Sequence, residues 1–313
     1  MPFFHKLSFN DLAAGITVDS PGRFAPALVT LANRVGGPLL RLLHRPSLRG
    51  LENLPTDGPY LLVANHSGGV AAAELSSFFT LWLQEFGVNR PLAGFTLPLT
   101  FHVFPFTQLL RAGGAIPSTY EAARQALAAG VPILVFPGGD HEVLRPVWQA
   151  NRVDFGGRTG FLRIAAEAGI PIVPLGIYGS HYTAPILWRS KSLSKLLVLP
   201  GLIGLKRWAL TVLGVAGAGI ILFWPGKRPL GQRLLLTWLW LSSPLVFLPW
   251  VPWTIRMQIG EPLAIQDLLG EDDRSEDEQV RFRRALASVE AAVQAELDRA
   301  RLYREAIPST LRK

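Results

Sequence analysis

The chain has no cysteine and little charge: only 17% of its 313 residues are Asp, Glu, Lys or Arg, against about 25% in ordinary soluble domains. Without cysteine there is no disulfide scaffold, thiol nucleophile, zinc–cysteine site or iron–sulfur cluster. Low charge together with 49% hydrophobic residues excludes an intrinsically disordered chain. A polytopic membrane protein would be more apolar throughout than a mean hydropathy of +0.27. One large domain remains, or one domain plus an insertion, long enough to bury a full α/β core. The opening Met1-Pro2-Phe3-Phe4-His5-Lys6 lacks the charged segment, apolar run and cleavage site of a secretory signal, so a cytoplasmic location is expected.

Acidic residues are absent altogether between residues 182 and 260. Nine cations lie there: Arg189, Lys191, Lys195, Lys206, Arg207, Lys227, Arg228, Arg233 and Arg256. That exceeds the net charge of the whole chain, +8, and calls for an anionic partner, either nucleic acid or a lipid surface. The surrounding residues decide between the two. Trp188, Trp208, Trp224, Trp238, Trp240, Trp250 and Trp253 lie here, with uncharged runs at 208–224 and 234–255. Tryptophan at the ends of apolar runs marks a membrane–water interface, and the cations accompany neither an aromatic-studded sheet nor a reading helix. Membrane lipids are the expected partner and nucleic acid is not.

The first run sits at the lower limit for a spanning helix, which needs about 20 residues. Pro244, Pro249 and Pro252 break the second. A hairpin that enters and leaves on the cytoplasmic side fits best; the alternative is a wholly buried helical subdomain. Residues 24–47 form another basic amphipathic stretch, helical with a break at Gly36-Gly37-Pro38. It either lies on a membrane or packs on the domain.

From Pro59 onward short apolar runs alternate with helical patterns. Strands are expected at 60–64, 92–95, 131–136, 170–177 and 254–260, and helices at 70–86, 120–129 and 159–168. This is an α/β pattern with a mostly parallel sheet covered on both faces. An acidic stretch, 271–278, precedes a long amphipathic, highly charged helix, 279–304. The expected organisation is an N-terminal amphipathic region (1–50), an α/β domain (51–188 and 251–268), a hydrophobic basic membrane-associated insertion (189–250) and a charged C-terminal helix (269–313).

Sites in such sheets form at the carboxyl ends of strands. His66 stands at one such end and Pro137-Gly138-Gly139 at another. A neutral imidazole takes a proton from a hydroxyl near pH 7 if a carboxylate fixes its tautomer. Glu74 is the nearest acid downstream, eight residues on. In an unbroken helix it would lie about 80° around from His66, but Ser67-Gly68-Gly69 need not be helical, which lets Glu74 turn back to the ring. No Gly-x-Ser-x-Gly elbow surrounds Ser67, so it is expected as a helix cap, not a nucleophile. The Pro137-Gly138-Gly139 turn either offers backbone N–H groups to an oxyanion or to donor phosphates, or is a plain turn. His141 and Glu142 are expected to line the same cleft. The loop Asp154-Phe155-Gly156-Gly157-Arg158 either binds substrate or caps the helix after it. His102 and His181 have no acid or histidine at metal-ligand spacing, so no metal is expected.

Four blocks then fall in order: Val63-Ala64-Asn65-His66-Ser67-Gly68-Gly69, Leu110-Arg111-Ala112-Gly113-Gly114-Ala115-Ile116-Pro117, Phe136-Pro137-Gly138-Gly139 and Ile170-Pro171-Ile172-Val173-Pro174-Leu175. In order and spacing they resemble the glycerolipid acyltransferase superfamily, typified by bacterial lysophosphatidate acyltransferases, over about residues 50–180 with a weaker return at 251–262. The resemblance implies a mostly parallel sheet flanked by helices. It also implies acyl transfer from acyl-CoA or acyl carrier protein to a lipid hydroxyl, with His66 as general base and no cofactor beyond the donor. Around the base it implies a substrate-binding set of Asn65, Ser67, Gly68, Gly69, Arg111, Phe136, Pro137, Gly138, Gly139, His141, Glu142 and Arg158.

Three departures qualify it. Ala71 stands where the family carries its Asp, and the acid's role passes to Glu74. Pro117-Ser118-Thr119-Tyr120 replaces the arginine that follows the second block. Gly138 replaces the third block's Glu, with Glu142 close behind. The pattern looks like the branches that acylate neutral lipid alcohols, since cationic contacts to a phosphate are lost unless Arg111, Arg145, Arg152 and Arg158 supply them. A degraded lipid-binding or scaffolding protein and an acyl hydrolase are the competing readings.

Overall fold

Residues 61–64 are apolar at every position, as a strand covered on both faces must be, and in the computed structural model they form a central strand with all four residues buried. The structure describes residues 20–70, 72–102, 106–202, 205–270 and 277–303. Ala71, the acidic stretch 271–276 and the first nineteen residues lie outside these.

The strands are β1 (Ser47–Arg49), β2 (Leu61–Ala64), β3 (Ala93–Thr96), β4 (Ile116–Pro117), β5 (Ile133–Val135), β6 (Ile172–Tyr178), β7 (Ile186–Ser190), β8 (Trp208–Thr211) and β9 (Arg256–Ile259). Seven of them make one sheet in the order β1-β9-β6-β2-β5-β3-β4, while β7 and β8 pair as a separate antiparallel ribbon. Within the large sheet β6 and β9 run antiparallel and the other neighbours run parallel. The sheet is therefore mostly parallel and flanked by helices.

Side-chain alternation sorts β2 between two cores. Leu61 and Val63 face one, with Ile133, Val135 and Ile172. Leu62 and Ala64 face the other, with Leu134, Val173 and Leu175. The helix Ala73–Phe86 covers the second core with Phe78, Trp82 and Leu83. The helices Gly160–Ala168 and Glu278–Leu302 cover the first.

The last helix is amphipathic, as its sequence pattern predicts, and its apolar side is part of the first core. Phe282, Ala285, Leu286, Val289, Val293 and Leu297 recur at helical spacing and are all buried in the first core. The many charges occupy its outer side, so the helix is a structural wall of the sheet. At the other end, the basic stretch 24–47 forms the helix Pro26–Leu31, a π-helical turn Ala32–Gly36 and the helix Gly37–Leu43, followed by β1. Pro38 falls in the first turn of the second helix, where its missing N–H costs nothing. The π turn thus absorbs the break expected at Gly36-Gly37-Pro38.

Between β6 and β9 the chain leaves the sheet. The run 208–224 is not one helix. Trp208–Thr211 is strand, because Trp208 and Ala209 are buried against Val246 and Phe247. Thr211 then caps a new helix, its Oγ1 accepting from the Gly214 N–H at 2.9 Å. That helix, Val212–Phe223, packs on the helix Leu230–Ser242, and Pro244 ends the second run as expected. No helix of the described residues is long and apolar enough to cross a membrane. At 12 residues the first spans about 18 Å, short of a hydrocarbon core of about 30 Å.

The root of this hairpin is buried and its tip is not. Indole N–H groups fasten the root: Trp208 donates to the Leu241 carbonyl at 2.7 Å and Trp240 to the Gly214 carbonyl at 2.9 Å. Ile220, Phe223, Trp224, Leu230, Leu234 and Leu235 are exposed, Phe223 to 83%. The subdomain is not wholly buried.

Leu297→Ala is expected to lower unfolding stability by about 2–5 kcal/mol, as for other buried leucines, and Arg283→Ala, on the exposed side of the same helix, by less than about 0.5 kcal/mol. Urea denaturation of the two variants measures the difference.

Candidate active site

The site is assembled where β2 runs out. The ladder between β2 and β6 ends with Ala64 opposite Leu175. Asn65 prolongs it with its side chain: Nδ2 donates to the Ile177 carbonyl at 2.9 Å and Oδ1 accepts from the Ile177 N–H at 2.7 Å. Asn65 is buried and both ends of its amide are engaged, so it locks the strand end and does not face a substrate.

The next residue is held from two sides by carboxylates. The His66 backbone N–H donates to Glu142 Oε2 at 3.0 Å, and the imidazole Nδ1 lies 2.8 Å from Glu74 Oε1. Glu74 Oε1 also accepts the Ser67 N–H at 2.9 Å, and Oε2 accepts the Ser180 hydroxyl. Glu74 is fully buried, whereas the His66 side chain keeps 16% exposure. The ring is therefore reachable and its partner is not. Phe136, from the end of β5, lies against the imidazole at 4.6 Å between ring centroids.

This return of Glu74 to the ring needs the glycine pair. Gly68 and Gly69 have φ +80° and +75°, the left-handed region that other residues enter at a cost. A side chain at Gly68 would collide with Ser180 Oγ and Glu74 Oε2, and one at Gly69 with the Phe247 ring. The helix begins only at Ala73, so the helical 80° offset never applies. Ser67 is not its cap: the hydroxyl is buried without a hydrogen-bond partner, and the residue contributes its N–H instead.

Glu142 does not line a cleft. It is 1% exposed, and its Oε1 accepts from the Asp154 N–H at 3.0 Å and from Arg145 Nη2 at 3.4 Å. Burial pushes its carboxyl up to about 7 against the pull of the Asp154 N–H, Arg145 and the His66 N–H. Arg145 is buried too, its guanidinium bound to the Arg152 and Asp154 carbonyls; that removes it from the arginines able to meet a phosphate. His181 lies buried nearby and is pushed down to about 3, first by burial and then by Arg145 and His66, so it is neutral.

The Pro137-Gly138-Gly139 turn is braced rather than open. The Gly139 N–H donates to the Phe136 carbonyl at 3.1 Å, which takes it from an oxyanion. Arg158 Nη1 donates to the Pro137 carbonyl at 3.0 Å and the Gly138 carbonyl at 2.6 Å, and its Nη2 pairs with Asp140 at 2.6 Å. Burial would raise the Asp140 carboxyl, but Arg158 and Arg207 hold it below the ordinary range. His141 Nε2 pairs with Asp154 at 3.1 Å, and its carbonyl accepts from Arg189. The loop 154–158 thus binds this turn, and no side-chain hydrogen bond from Thr159 caps the following helix. Arg111 lies exposed in the last turn of the helix Phe106–Ala112.

Ser180 was not among the residues expected from sequence. Its signal is positional: it follows β6, and β6 neighbours β2, so the rule that singles out His66 applies to it as well. Among the described residues there is no cluster of three or more His, Asp and Glu able to hold a metal.

Residues 45–178 match the family described as Acyltransferase. An uncharacterized protein of Mycobacterium tuberculosis (strain ATCC 25618 / H37Rv) is 31% identical over 167 residues, covering 52% of this chain and 46% of that protein. Phytyl ester synthase 1, chloroplastic, of Arabidopsis thaliana is 26% identical over 200 residues, covering 60% of this chain and 28% of that one. The chain matches less than half the length of these curated relatives. Among solved structures, the 1-acyl-sn-glycerophosphate (LPA) acyltransferase PlsC from Thermotoga maritima aligns with a TM-score of 0.45 at 18% identity, over 88% of this chain and 81% of that one.

The Glu142 carboxyl holds its proton to higher pH when folded than the unfolded value of 4.5. Its contribution to stability is therefore complete below pH 4.5 and declines as pH rises through about 7. Urea midpoints measured across that interval are expected to fall with pH, and Glu142→Gln is expected to flatten the slope.

Proposed function

We propose, from the match of residues 45–178 to the Acyltransferase family, that the chain is a glycerolipid acyltransferase that transfers a fatty acyl group from an acyl thioester, carried on coenzyme A or acyl carrier protein, to the hydroxyl of a membrane lipid alcohol. The observation that carries this reading is the contact between a reachable imidazole and a buried carboxylate, His66 Nδ1 to Glu74 Oε1 at 2.8 Å.

With Nδ1–H committed to Glu74, Nε2 is the free acceptor. It takes the proton of the acceptor hydroxyl as that oxygen attacks the thioester carbonyl. The tetrahedral intermediate then collapses, the carbon–sulfur bond breaks, and the leaving thiolate takes the proton from His66. No enzyme nucleophile enters the sequence, in keeping with a chain that has no cysteine. The carboxylate stabilises the transient imidazolium.

A neutral acceptor is favoured over a phosphate-bearing one. Arg145 is consumed internally and Arg158 braces the turn beside His66. The relative named as a phytyl ester synthase points the same way. The apolar hairpin tip, in a stretch with nine cations and no acid, supports docking on an anionic bilayer, where such acceptors reside. The cytoplasmic face of a membrane is the location that fits this donor chemistry.

Labelled acyl-CoA offered with a panel of lipid acceptors tests the reaction. His66→Ala is expected to lose about 10²–10⁴-fold in rate and Glu74→Gln to follow it; full activity in His66→Ala would sink the assignment. Neutral alcohols are expected to outcompete lysophosphatidate. Separately, Phe223→Asp combined with Trp224→Asp is expected to abolish co-sedimentation with vesicles containing anionic lipid while the protein stays folded by circular dichroism.

A further inference from the structure

We infer that Ser180 is a positioning residue of the acyl-transfer site, a third member that holds the Glu74 carboxylate in the orientation His66 requires. The inference rests on the reading of His66 as general base and adds a residue that neither the sequence blocks nor the Glu74 pairing supplies.

Glu74 is fully buried, so each carboxylate oxygen needs a donor from within the protein. Oε1 is shared by the His66 imidazole and the Ser67 N–H. Oε2 receives the Ser180 hydroxyl. Without that donor the carboxylate would keep its partners on one oxygen alone and lose the restraint on rotation about its last bond.

Ser180 is itself held firmly. It is fully buried and starts the 3-10 turn Ser180–Tyr182 directly after β6. Gly179 enters that turn with φ +100°, its Cα packed against the Thr254 carbonyl. The Ser180 carbonyl accepts the Thr183 hydroxyl at 2.8 Å and the Thr183 N–H at 3.0 Å. Asn65 ties Ile177, three residues before Ser180, to the residue before His66. The donor and the base thus hang from two neighbouring strand ends joined by one side chain. Gly68 completes the fit, since any side chain there would occupy the path of the Ser180 hydroxyl.

Chemically, a hydroxyl donor drains charge from the carboxylate. Losing it concentrates charge on the carboxylate, which favours the protonated ring, and frees the carboxylate to rotate away from the orientation in which it holds the neutral ring for attack. The other groups beside His66, namely Glu142, His181 and the Phe136 ring, are unchanged by the substitution. Two effects are therefore expected of Ser180→Ala. The rate falls because the ring is held less well, and the acidic limb of the pH profile moves to higher pH because His66 holds its proton more tightly.

The test compares wild type, Ser180→Ala, Ser180→Cys and His66→Ala on the labelled acyl-CoA assay across pH. Ser180→Ala is expected to lose about 10- to 100-fold in kcat, the scale of a hydrogen bond to a charged group, with KM unchanged and the acidic limb of kcat/KM raised. Ser180→Cys, which keeps the volume and a weaker donor, is expected to fall between the two and guards against a folding defect in the alanine variant. Unchanged kcat in Ser180→Ala beside an inactive His66→Ala would overturn the role of Ser180 alone. A lower kcat with an unmoved acidic limb would also overturn it, since packing loss has that signature. Full activity in His66→Ala would overturn the general-base reading, and this role with it.

Discussion

A carboxylate cut off from solvent must be satisfied by the protein in every lone pair it uses, and Glu74 imposes that condition on everything near it. It sits in the first turn of the helix Ala73–Phe86, where the helix dipole favours negative charge. It is reached by three donors from two segments: the ring of His66 and the N–H of Ser67 after one strand, and the hydroxyl of Ser180 after its neighbour. The chain between His66 and the helix cannot be helical if all three are to converge. Gly68 and Gly69 provide the left-handed turn, and the space their missing side chains leave is filled by Ser180, Glu74 and Phe247. A second carboxyl, Glu142, holds the His66 backbone from the opposite side. One ring is thus fixed by two acids with different duties, and only the ring meets the outside.

Much of this was legible along the chain. The strand at 60–64, the helix behind it and the glycine pair between them follow from local pattern, because strands buried on both faces are uniformly apolar and helices are amphipathic. The gap of eight residues between His66 and Glu74 was readable as a pair only because glycines interrupt the helix. What local pattern cannot carry is the direction of a side chain across the sheet. Asn65 reads as a polar residue beside a catalytic one, yet it spends itself on Ile177. Glu142 reads as lining a cleft, yet Asp154, Arg145 and His66 draw it inward. Ser180 lies more than a hundred residues from Glu74, and strand order, not sequence, makes them neighbours. The helix Glu278–Leu302 looks charged because two faces of it are; the third carries the core residues.

The excursion between β6 and β9 divides its tryptophans by job. Trp208 and Trp240 turn their indole N–H groups inward to backbone carbonyls, while Trp224 and Trp250 are exposed. The root also reaches the loops of the candidate site. Phe247 packs against Gly69, Arg207 pairs with Asp140 at 3.1 Å, and Arg189 donates to the His141 carbonyl. Apolar surface and candidate site are therefore joined by direct contacts.

The antiparallel pairing of β6 with β9 has a topological consequence. Tyr178 stands opposite Arg256, so the excursion departs and comes home at the last rung of the same ladder. A detour with both feet on one rung adds closure entropy only as the logarithm of its length. Its contour can lengthen or shrink without rethreading a single strand. The sheet treats nearly eighty residues much as it would treat a hairpin turn, which makes the apolar excursion a pendant on the α/β frame.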